Sequence, residues 1–243
     1  MYLSVIIPAR NEEKRIIKTL NSNAAYLERQ NFDYEVLIID NGSTDGTERV
    51  VAEFSQNHPY VKFMEAHGKG KGSAVRYGMQ HATGDIRLFM DADNATTLDH
   101  FDRMKPHFEG GAGLVFGTRD SRDLPEARQV VPQPWYRRLL GDIGNLLIQI
   151  VVLPGIWDTQ AGFKACTKAA AEGIFSRAVI DGFGFDIEML ALGRRLGYRL
   201  EKIPLEWEND PDSKVSLASY LKVFVEMFRV RWNLWTGAYK LRQ

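Results

Sequence analysis

Residues 86–93 read Ile86-Arg87-Leu88-Phe89-Met90-Asp91-Ala92-Asp93. The first five are mostly apolar and predict a short buried strand, and the two carboxylates that follow predict that this strand ends at a polar edge. Earlier apolar runs at 3–7, 36–39 and 61–64 are each followed by a segment with helical features, and Asn11 is expected to cap the first of these helices. Strand and helix thus alternate through about ninety residues. This pattern predicts the α/β class, with a mostly parallel, doubly wound sheet and helices on both faces.

The alternation weakens after a further predicted strand at 114–116. Helical spacing returns at 139–153, 185–196 and 217–239, and residues 198–203 read as another strand. No linker rich in Pro, Gly or Ser divides the sequence. We therefore expect one domain over residues 1–243.

The composition excludes several classes of protein. Lys plus Arg and Asp plus Glu both number 31, so the net charge indicates no nucleic-acid partner. The single cysteine, Cys166, excludes an intrachain disulfide and a Cys-based metal site, and it fits a reducing, cytoplasmic location. The first residues lack the features of a signal peptide, and no apolar run approaches the roughly 18 residues of a membrane span. The sequence contains no signal for an oligomeric state.

The carboxylates Asp91 and Asp93 are the first candidate site. In sheets of this kind, ligands bind at the carboxyl ends of the strands. Two carboxylates at this place suit Mg²⁺ or Mn²⁺, which bind one or two carboxylates together with substrate phosphates. An isolated Asp-x-Asp also occurs at ordinary polar strand ends, but its position in the alternating series favours a metal site.

Two further loops could contact a nucleotide. Asp40 ends the second predicted strand and could accept hydrogen bonds from a base or a ribose, although a capped turn also explains the residues after it. The loop at 67–73 contains three glycines and two lysines, one of them Lys71, and could approach a phosphate closely. It is neither a Walker A loop nor a dinucleotide fingerprint, and a flexible surface loop is the alternative.

The second half of the chain supplies candidates for an acceptor. Arg119, Arg137 and Arg138 could hold a phosphate through forked hydrogen bonds, although single surface arginines are usually only solvated. Asp158 lies beside a tight turn and could act as a general base, orient an acceptor or simply stabilise the turn. Asp186 and Glu188 lie two residues apart on a predicted helix and therefore point in different directions.

Together these motifs resemble the family-2 glycosyltransferases, in particular the dolichyl-phosphate glucosyltransferase branch and the related dolichyl-phosphate mannose synthases. The resemblance covers nearly the whole chain. It is carried by seven stretches, namely residues 8–12, 39–47, 70–76, 91–93, 158–164, 184–188 and 213–215.

The resemblance implies a GT-A fold, a UDP- or GDP-sugar donor, Mg²⁺ or Mn²⁺, and inversion at the anomeric carbon. It assigns residues 1–118 to a nucleotide-sugar-binding half, 119–215 to an acceptor-binding half and 216–243 to an amphipathic helical tail. The site residues that it implies are Pro8, Glu12, Asp40, Lys71, Asp91 and Asp93 for the donor, Asp91 and Asp93 for the metal, Arg119, Arg137, Arg138, Ser213 and Lys214 for the acceptor phosphate, and Asp158, Asp93 and Arg119 for catalysis.

The sequence departs from the family pattern at three points. Asn41 stands where the family often has a second Asp, and Ala161 stands where the glucosyltransferases often have Cys. The membrane-spanning anchor of the eukaryotic members is not visible. Residues 139–153 and the aromatic and basic tail could instead lie at a membrane surface, with core packing as the alternative.

We therefore expect an inverting enzyme that transfers a hexose, glucose from UDP-glucose, to a polyprenyl or dolichyl phosphate at the cytoplasmic membrane face. A phosphate acceptor is already anionic and needs little help from a base. The alternatives are a glycosyltransferase with a soluble hydroxyl acceptor and Asp158 or Asp186 as base, mannose transfer from GDP-mannose, a nucleotidyltransferase, and a non-catalytic nucleotide-sugar binding module. Against the nucleotidyltransferase, no glycine-rich loop follows the first predicted strand.

Overall fold

The computed structural model describes residues 2–129, 135–207 and 217–240 of the chain. Side chains are described for residues 2–127, 141–207 and 221–240. The strands are β1 (Tyr2–Ala9), β2 (Asp33–Asp40), β3 (Val61–Glu65), β4 (Ile86–Met90), β5 (Leu114–Thr118), β6 (Arg128–Gln129), β7 (Phe163–Thr167), β8 (Leu200–Pro204) and β9 (Glu206–Trp207). The helices are α1 (Ile16–Leu27), α2 (Thr47–Ser55), α3 (Lys71–His81), α4 (Phe101–Glu109), α5 (Trp135–Val151), α6 (Lys168–Phe175), α7 (Phe185–Arg195) and α8 (Leu217–Thr236).

A seven-stranded sheet in the order β3-β2-β1-β4-β7-β5-β8 forms the centre of the fold. All neighbouring strands are parallel except β7, which runs antiparallel to both β4 and β5. Ala9 pairs with Asp40 at the carboxyl ends of β1 and β2, and β4 ends at Met90 beside β1. Asp40 and Asp91 therefore lie at the same edge of the sheet, as the order of elements predicts.

Two apolar layers cover the two faces of this sheet. Alternate residues of β1 show the division: Leu3, Val5 and Ile7 pack with α1, α2 and α4, whereas Ile6 packs with α3, α6 and α7. Side chains of a strand point alternately to opposite faces, so a fully buried strand is apolar on both. The predicted mostly parallel α/β sheet with helices on both faces is confirmed.

Five elements were absent from the sequence-based prediction, and one predicted feature was wrong. The missing elements are α4, α6, β7 and the two-residue strands β6 and β9. Pro106 obscures the pattern of α4, and the polar Lys164 interrupts the apolar run of β7. Asn11 was expected to cap the first helix, but α1 begins only at Ile16, and Asn11 adopts a positive φ of 56°. Its side chain instead accepts a hydrogen bond from the Thr44 amide, 2.8 Å away, in the turn after β2.

The helices that close the second layer include two with apolar outer surfaces, α5 and α8, which pack against each other. Short strands β6 and β9 form a separate parallel pair. Among the described residues, no helix has the length and apolar character needed to cross a bilayer.

Candidate active site

The turn after β2 places two polar side chains with different tasks. Asp40 is buried and accepts hydrogen bonds from the amides of Gly42 and Ser43 at 3.0 Å each, and from Ser43 Oγ at 2.5 Å. These contacts order its own turn. A carboxylate offers about four acceptor positions, and three of those of Asp40 are used in these contacts.

Asn41 fixes the glycine-rich loop from both sides. Its Nδ2 donates to the Gly68 carbonyl and its Oδ1 accepts from the Gly70 amide, both at 2.8 Å. Gly70 has a φ of 107°, which a side chain would disfavour, and the backbone of Asp181 lies where its Cβ would be. The loop is therefore held by direct hydrogen bonds and by close packing, which argues against a freely flexible loop.

This loop leads directly into α3, whose first residue is Lys71. Lys71 Nζ lies 2.5 Å from Asp91 Oδ1. Burial would lower the pKa of Lys71, but the negative charges of Asp91 and Asp186 outweigh burial and raise it. The free amide groups of a helix N-terminus attract anions, so a lysine at this position adds a full charge where a phosphate would already be favoured.

Asp91 and Asp93 follow β4, and the backbone next to them is fixed by β7. The Asp91 amide donates to the Gly162 carbonyl at 3.2 Å, and Asp93 Oδ1 accepts from the Ala95 amide at 3.0 Å. A Cβ at Gly162 would overlap the Asp91 carboxylate. Because glycine has no side chain, position 162 provides the room that the Asp91 carboxylate occupies.

The chemistry of this pair fits a divalent cation. Burial, and then the negative charge of Asp91, raise the pKa of Asp93. The two carboxylates therefore repel each other, and the positive charges nearby do not fully offset this repulsion. Hard cations such as Mg²⁺ and Mn²⁺ bind carboxylate oxygens and relieve this repulsion. In the described part of the chain, no three His, Cys, Asp or Glu side chains converge on one point. The other ligands of a cation here would be donor phosphates and water, as is usual for Mg²⁺.

Arg119 and Asp158 form the second half of the site. Arg119 Nε and Nη2 donate to the two Asp158 oxygens at 2.8 and 2.9 Å, and the Arg119 amide donates to Oδ2 at 2.9 Å. The Gln160 amide adds a fourth hydrogen bond to Asp158. Burial would raise the pKa of Asp158, but the charge and hydrogen bonds of Arg119 outweigh it and hold this pKa below its usual range. A carboxylate held in this way is a weak base.

The guanidinium of Arg119 is also oriented by an aromatic ring and by distant acids. Its Cζ lies 5.1 Å from the centre of the Trp207 ring, within the range of a cation–π contact. Burial would lower its pKa, but Asp158, followed by Asp91 and Asp186, raises it. The charge of Asp91 therefore acts on the Arg119 guanidinium.

Asp123 was not identified from the sequence, yet it joins the end of β5, the 157–158 segment and β8. Its buried carboxylate accepts hydrogen bonds from the amides of Trp157 and Asp158 at 3.0 and 2.9 Å. It also accepts from Thr118 Oγ1 at 3.0 Å and forms an ion pair with Lys202. The sequence contains one indication of this role. Residues 119–123, which follow β5, are mostly charged, and an acid there lies near the carboxyl edge of the sheet.

Below the site, Lys164 and Asp186 form a fully buried ion pair with an Nζ–Oδ1 distance of 2.5 Å. Despite their attraction, burial lowers the pKa of Lys164 and raises the pKa of Asp186. As the helical spacing predicts, Glu188 points elsewhere, and it accepts from the amides of Val179 and Ile180. The Asp186 carboxylate is thus held in an ion pair with Lys164.

The remaining candidates from the sequence fall into two groups. Pro8 lies near the end of β1, and the Glu12 carboxylate is held by Arg15 through hydrogen bonds of 2.7 and 2.8 Å. The charge of Arg15 also acts on Asp93, where it opposes the rise in pKa. The side chains of Arg137 and Arg138, and residues Ser213 and Lys214 entirely, lie outside the described residues.

Comparisons with known proteins agree with this architecture. The dolichyl-phosphate beta-glucosyltransferase of Trichomonas vaginalis is 33% identical over 97% of this chain and 76% of its own length. Mannosyl-3-phosphoglycerate synthase from Rubrobacter xylanophilus superposes with a TM-score of 0.72 at 20% identity, over 100% of this chain and 77% of that one. Glucosyl-3-phosphoglycerate synthase from Mycobacterium tuberculosis, in complex with Mn²⁺, UDP-glucose and phosphoglyceric acid, superposes with a TM-score of 0.64 at 20% identity, over 95% and 79%.

The structural neighbours confirm the GT-A fold that the sequence motifs imply. The family model described as glycosyl transferase family 2 matches residues 4–175, which include β1 to β7 and α1 to α6. This range contains Asp40, Lys71, Asp91, Arg119 and Asp158. The chain therefore belongs to glycosyl transferase family 2.

Proposed function

We propose that this glycosyltransferase transfers glucose from UDP-glucose to a polyprenyl phosphate such as dolichyl phosphate. The observation that carries this proposal is the Arg119–Asp158 pair, in which the acid accepts hydrogen bonds on both oxygens while the charges of Asp91 and Asp186 also act on the guanidinium. An acceptor that is already anionic suits a site with a fixed cation in which the two candidate bases, Asp158 and Asp186, are both held in ion pairs. The name of the Trichomonas relative supports the same acceptor and sugar.

The donor half would bind the nucleotide diphosphate. Pro8, Glu12 and Asp40 would contact the base and ribose, and the N-terminus of α3 with Lys71 would hold the diphosphate. Asp91 and Asp93 would hold a divalent cation, Mg²⁺ or Mn²⁺, which when bound would neutralise charge on the departing UDP. The Mycobacterium neighbour, described with Mn²⁺ and UDP-glucose, supports this donor and this class of metal.

The acceptor half would orient a phosphate. Among the described residues, Asp158 accepts from Arg119 Nε and Nη2, and none accepts from Nη1. That nitrogen is left for an acceptor oxygen, and arginine binds phosphate well through such directed bonds. Asp158 would fix the guanidinium, and Asp123 would fix Asp158 through the backbone of the 157–158 segment.

The reaction then needs one displacement. An oxygen of the acceptor phosphate attacks the anomeric carbon and forms the new C–O bond. The bond from that carbon to the UDP oxygen breaks, its electron pair stays with UDP, and the configuration inverts. Lys71 and the helix N-terminus stabilise the charge that develops on the leaving group. The acceptor oxygen carries no proton that must be removed.

A hydroxyl acceptor is the competing possibility, and the geometry counts against it. It would need Asp158 or Asp186 as base, but the first has a lowered pKa and the second is buried against Lys164. Two further alternatives are mannose transfer from GDP-mannose and a role as a non-catalytic binding module. The experiment below distinguishes both from our proposal.

The first experiment is a thermal-shift screen of UDP, GDP, UDP-glucose and GDP-mannose, each with and without Mn²⁺. A ligand that binds only the folded state raises the apparent stability. We expect a metal-dependent shift with the uridine compounds, followed by transfer of radioactive glucose to a short, water-soluble polyprenyl phosphate. A preference for guanosine compounds would indicate mannose, turnover only with a hydroxyl acceptor would overturn the acceptor assignment, and donor binding without transfer or hydrolysis would indicate a binding module.

A further inference from the structure

Helix α8 carries a continuous apolar stripe on its outer surface. The stripe consists of Leu221, Val225, Phe228, Trp232 and Trp235, which are between 56% and 74% exposed. Their spacing places all five within an arc of about 80° on a helix of 3.6 residues per turn. Scattered apolar residues are normal on a protein surface, whereas a contiguous row of large ones indicates a binding surface.

Basic residues line both borders of this α8 stripe. Arg229 and Arg231 lie about 80° to either side of its centre line, and both are exposed. The acid Glu226 points the opposite way and accepts a hydrogen bond from the Gly184 amide at 2.7 Å. The outward face of α8 is therefore apolar in the middle and positively charged at its edges, as in helices that lie in a membrane interface.

The neighbouring elements extend the same surface. Helix α5, which packs on α8, exposes Ile143, Leu146 and Ile150 to between 46% and 70%. An open hollow of about 490 Å³ lies between the end of α5, α7 and α8. Arg194 and Arg195 from α7 and Arg231 from α8 line this arginine hollow, together with Trp235.

We propose that the α8 stripe and the arginine hollow together form a docking face for an anionic lipid bilayer. The apolar stripe would enter the boundary between headgroups and acyl chains, and the arginines would contact lipid phosphates. A second copy of this chain fits the face less well. A two-fold contact would bring the arginines of both copies into one interface.

The face is joined to the active site through a short path of hydrogen bonds. Glu226 on the inner side of α8 holds Gly184, and in the same 181–184 loop the Asp181 carbonyl accepts from the Ser73 amide of α3. Helix α8 and the start of α3, next to the glycine-rich loop, thus both contact the same 181–184 loop. The inference deepens the proposed function, because a bilayer is where a polyprenyl phosphate resides, and it rests on that function only for its biological meaning.

Vesicle flotation without donor or acceptor tests the inference directly. The chain should float with vesicles of phosphatidylcholine and phosphatidylglycerol and much less with phosphatidylcholine alone. Arg195→Gln with Arg231→Gln should weaken binding about thirtyfold, since each basic residue near an anionic surface contributes roughly fivefold. Phe228→Ser with Trp232→Ser should weaken it roughly a hundredfold, because each buried aromatic side chain contributes about tenfold.

Matched controls lie on the far side of the sheet. Arg29→Gln with Arg49→Gln removes the same charge, and Ile17→Ser removes an exposed apolar side chain, so both should bind vesicles like the unchanged chain. All variants should keep transfer to a water-soluble polyprenyl phosphate, which separates failure of docking from failure of the proposed reaction. Equal loss in control and test variants would overturn the docking face. So would absence of flotation, or a dimer in solution that Trp232→Ser dissociates.

Discussion

The Arg119 guanidinium and the Asp158 carboxylate meet in a forked ion pair, with Nε–Oδ2 and Nη2–Oδ1 distances of 2.8 and 2.9 Å. The same carboxylate also accepts from the backbone amides of Arg119 and Gln160. In this arrangement the acid is a support for the arginine rather than a base. That distinction has measurable consequences for the enzyme.

Replacement of Asp158 by Asn keeps an acceptor for Arg119 but removes the charge. We expect kcat/KM for a polyprenyl phosphate to fall about thirtyfold, which corresponds to about 2 kcal/mol for one charged hydrogen bond. Because Arg119 holds the pKa of Asp158 below its usual range, this acid stays ionised at neutral pH, and the pH profile should keep its shape. Loss of the acidic limb in Asp158→Asn, together with a drop of about 10⁴, would instead identify Asp158 as a general base.

Asp93 should be required for metal-dependent donor binding. With UDP and Mn²⁺ at about 100 times Kd, the unchanged chain should gain about 2.7 kcal/mol, or roughly 5–10 °C in Tm for a domain of this size. Asp93→Ala should lose this shift and all detectable transfer, because a single carboxylate is left for the cation. Asp99→Ala removes an exposed acid from the nearby turn and should retain both. A normal metal-dependent shift in Asp93→Ala would contradict the assignment.

The first half of the fold was accessible from sequence because its signals are local. Four apolar runs ended at Pro8, Asp40, Glu65 and Asp91, close to where β1 to β4 end. Parallel strands place their carboxyl ends together, so the neighbourhood of Asp40 and Asp91 followed without any knowledge of distances. The later elements were harder, because the buried Lys164 breaks the apolar pattern of β7 and finds its partner Asp186 on a different element.

The supporting residues of the site were not accessible in the same way. Asp123 acts through the Trp157 amide, 34 positions away, and through Lys202, 79 positions away. Only the packed fold brings these groups together, so no local sequence motif predicts the contacts of Asp123. Asn41 shows a related limit: its place in the motif was recognised, but its contacts to Gly68 and Gly70 depend on how the loop returns over the sheet.

A side chain at position 162 should impair ligand binding at Asp91 and not the stability of the fold. A methyl group there would displace the Asp91 carboxylate, which is the end of a side chain and can move at little cost to the fold. Gly162→Ala should therefore unfold at nearly the same temperature but bind UDP with Mn²⁺ at least tenfold more weakly. Gly141→Ala, at a helical position with open space around it, should leave binding unchanged and raise the unfolding temperature slightly, because Ala favours a helix more than Gly does. A large loss of stability without loss of binding would refute this explanation.

Glu35, at the opposite edge of the sheet from the site, should contribute a pH-dependent part of the stability. Burial would raise its pKa, but hydrogen bonds from the Thr83 amide, Lys62, Ser4 and the Thr83 hydroxyl lower it to about 2. A lowered pKa means that stability is full above the unfolded value near 4.5 and is lost as the pH falls towards about 2. The loss should reach about 3 kcal/mol.

Urea unfolding across this acidic range measures the Glu35 contribution. Glu35→Gln should be less stable than the unchanged chain at neutral pH, and the difference should shrink as the pH falls. Asp33→Asn, at an exposed position of the same strand, should follow the unchanged chain. A constant difference at every pH would show that Glu35 acts through packing and not through its charge.

Asn41 offers a test in which the motif and the structure predict opposite results. If position 41 contacts the nucleoside as a second acid, Asn41→Asp should strengthen UDP binding. The structure predicts the reverse, because an Asp still accepts from the Gly70 amide but places a negative charge against the Gly68 carbonyl, to which Asn41 now donates. The loop that positions Lys71 would loosen, and we expect the Kd for UDP and the KM for the donor to rise about tenfold, with Tm nearly unchanged.

The control is Asn57→Asp, which makes the same change in charge at an exposed position and should leave both constants as they are. Tighter UDP binding in Asn41→Asp would mean that the side chain turns towards the nucleoside when the donor binds, and that the loop is held by its packing against the backbone of Asp181 alone.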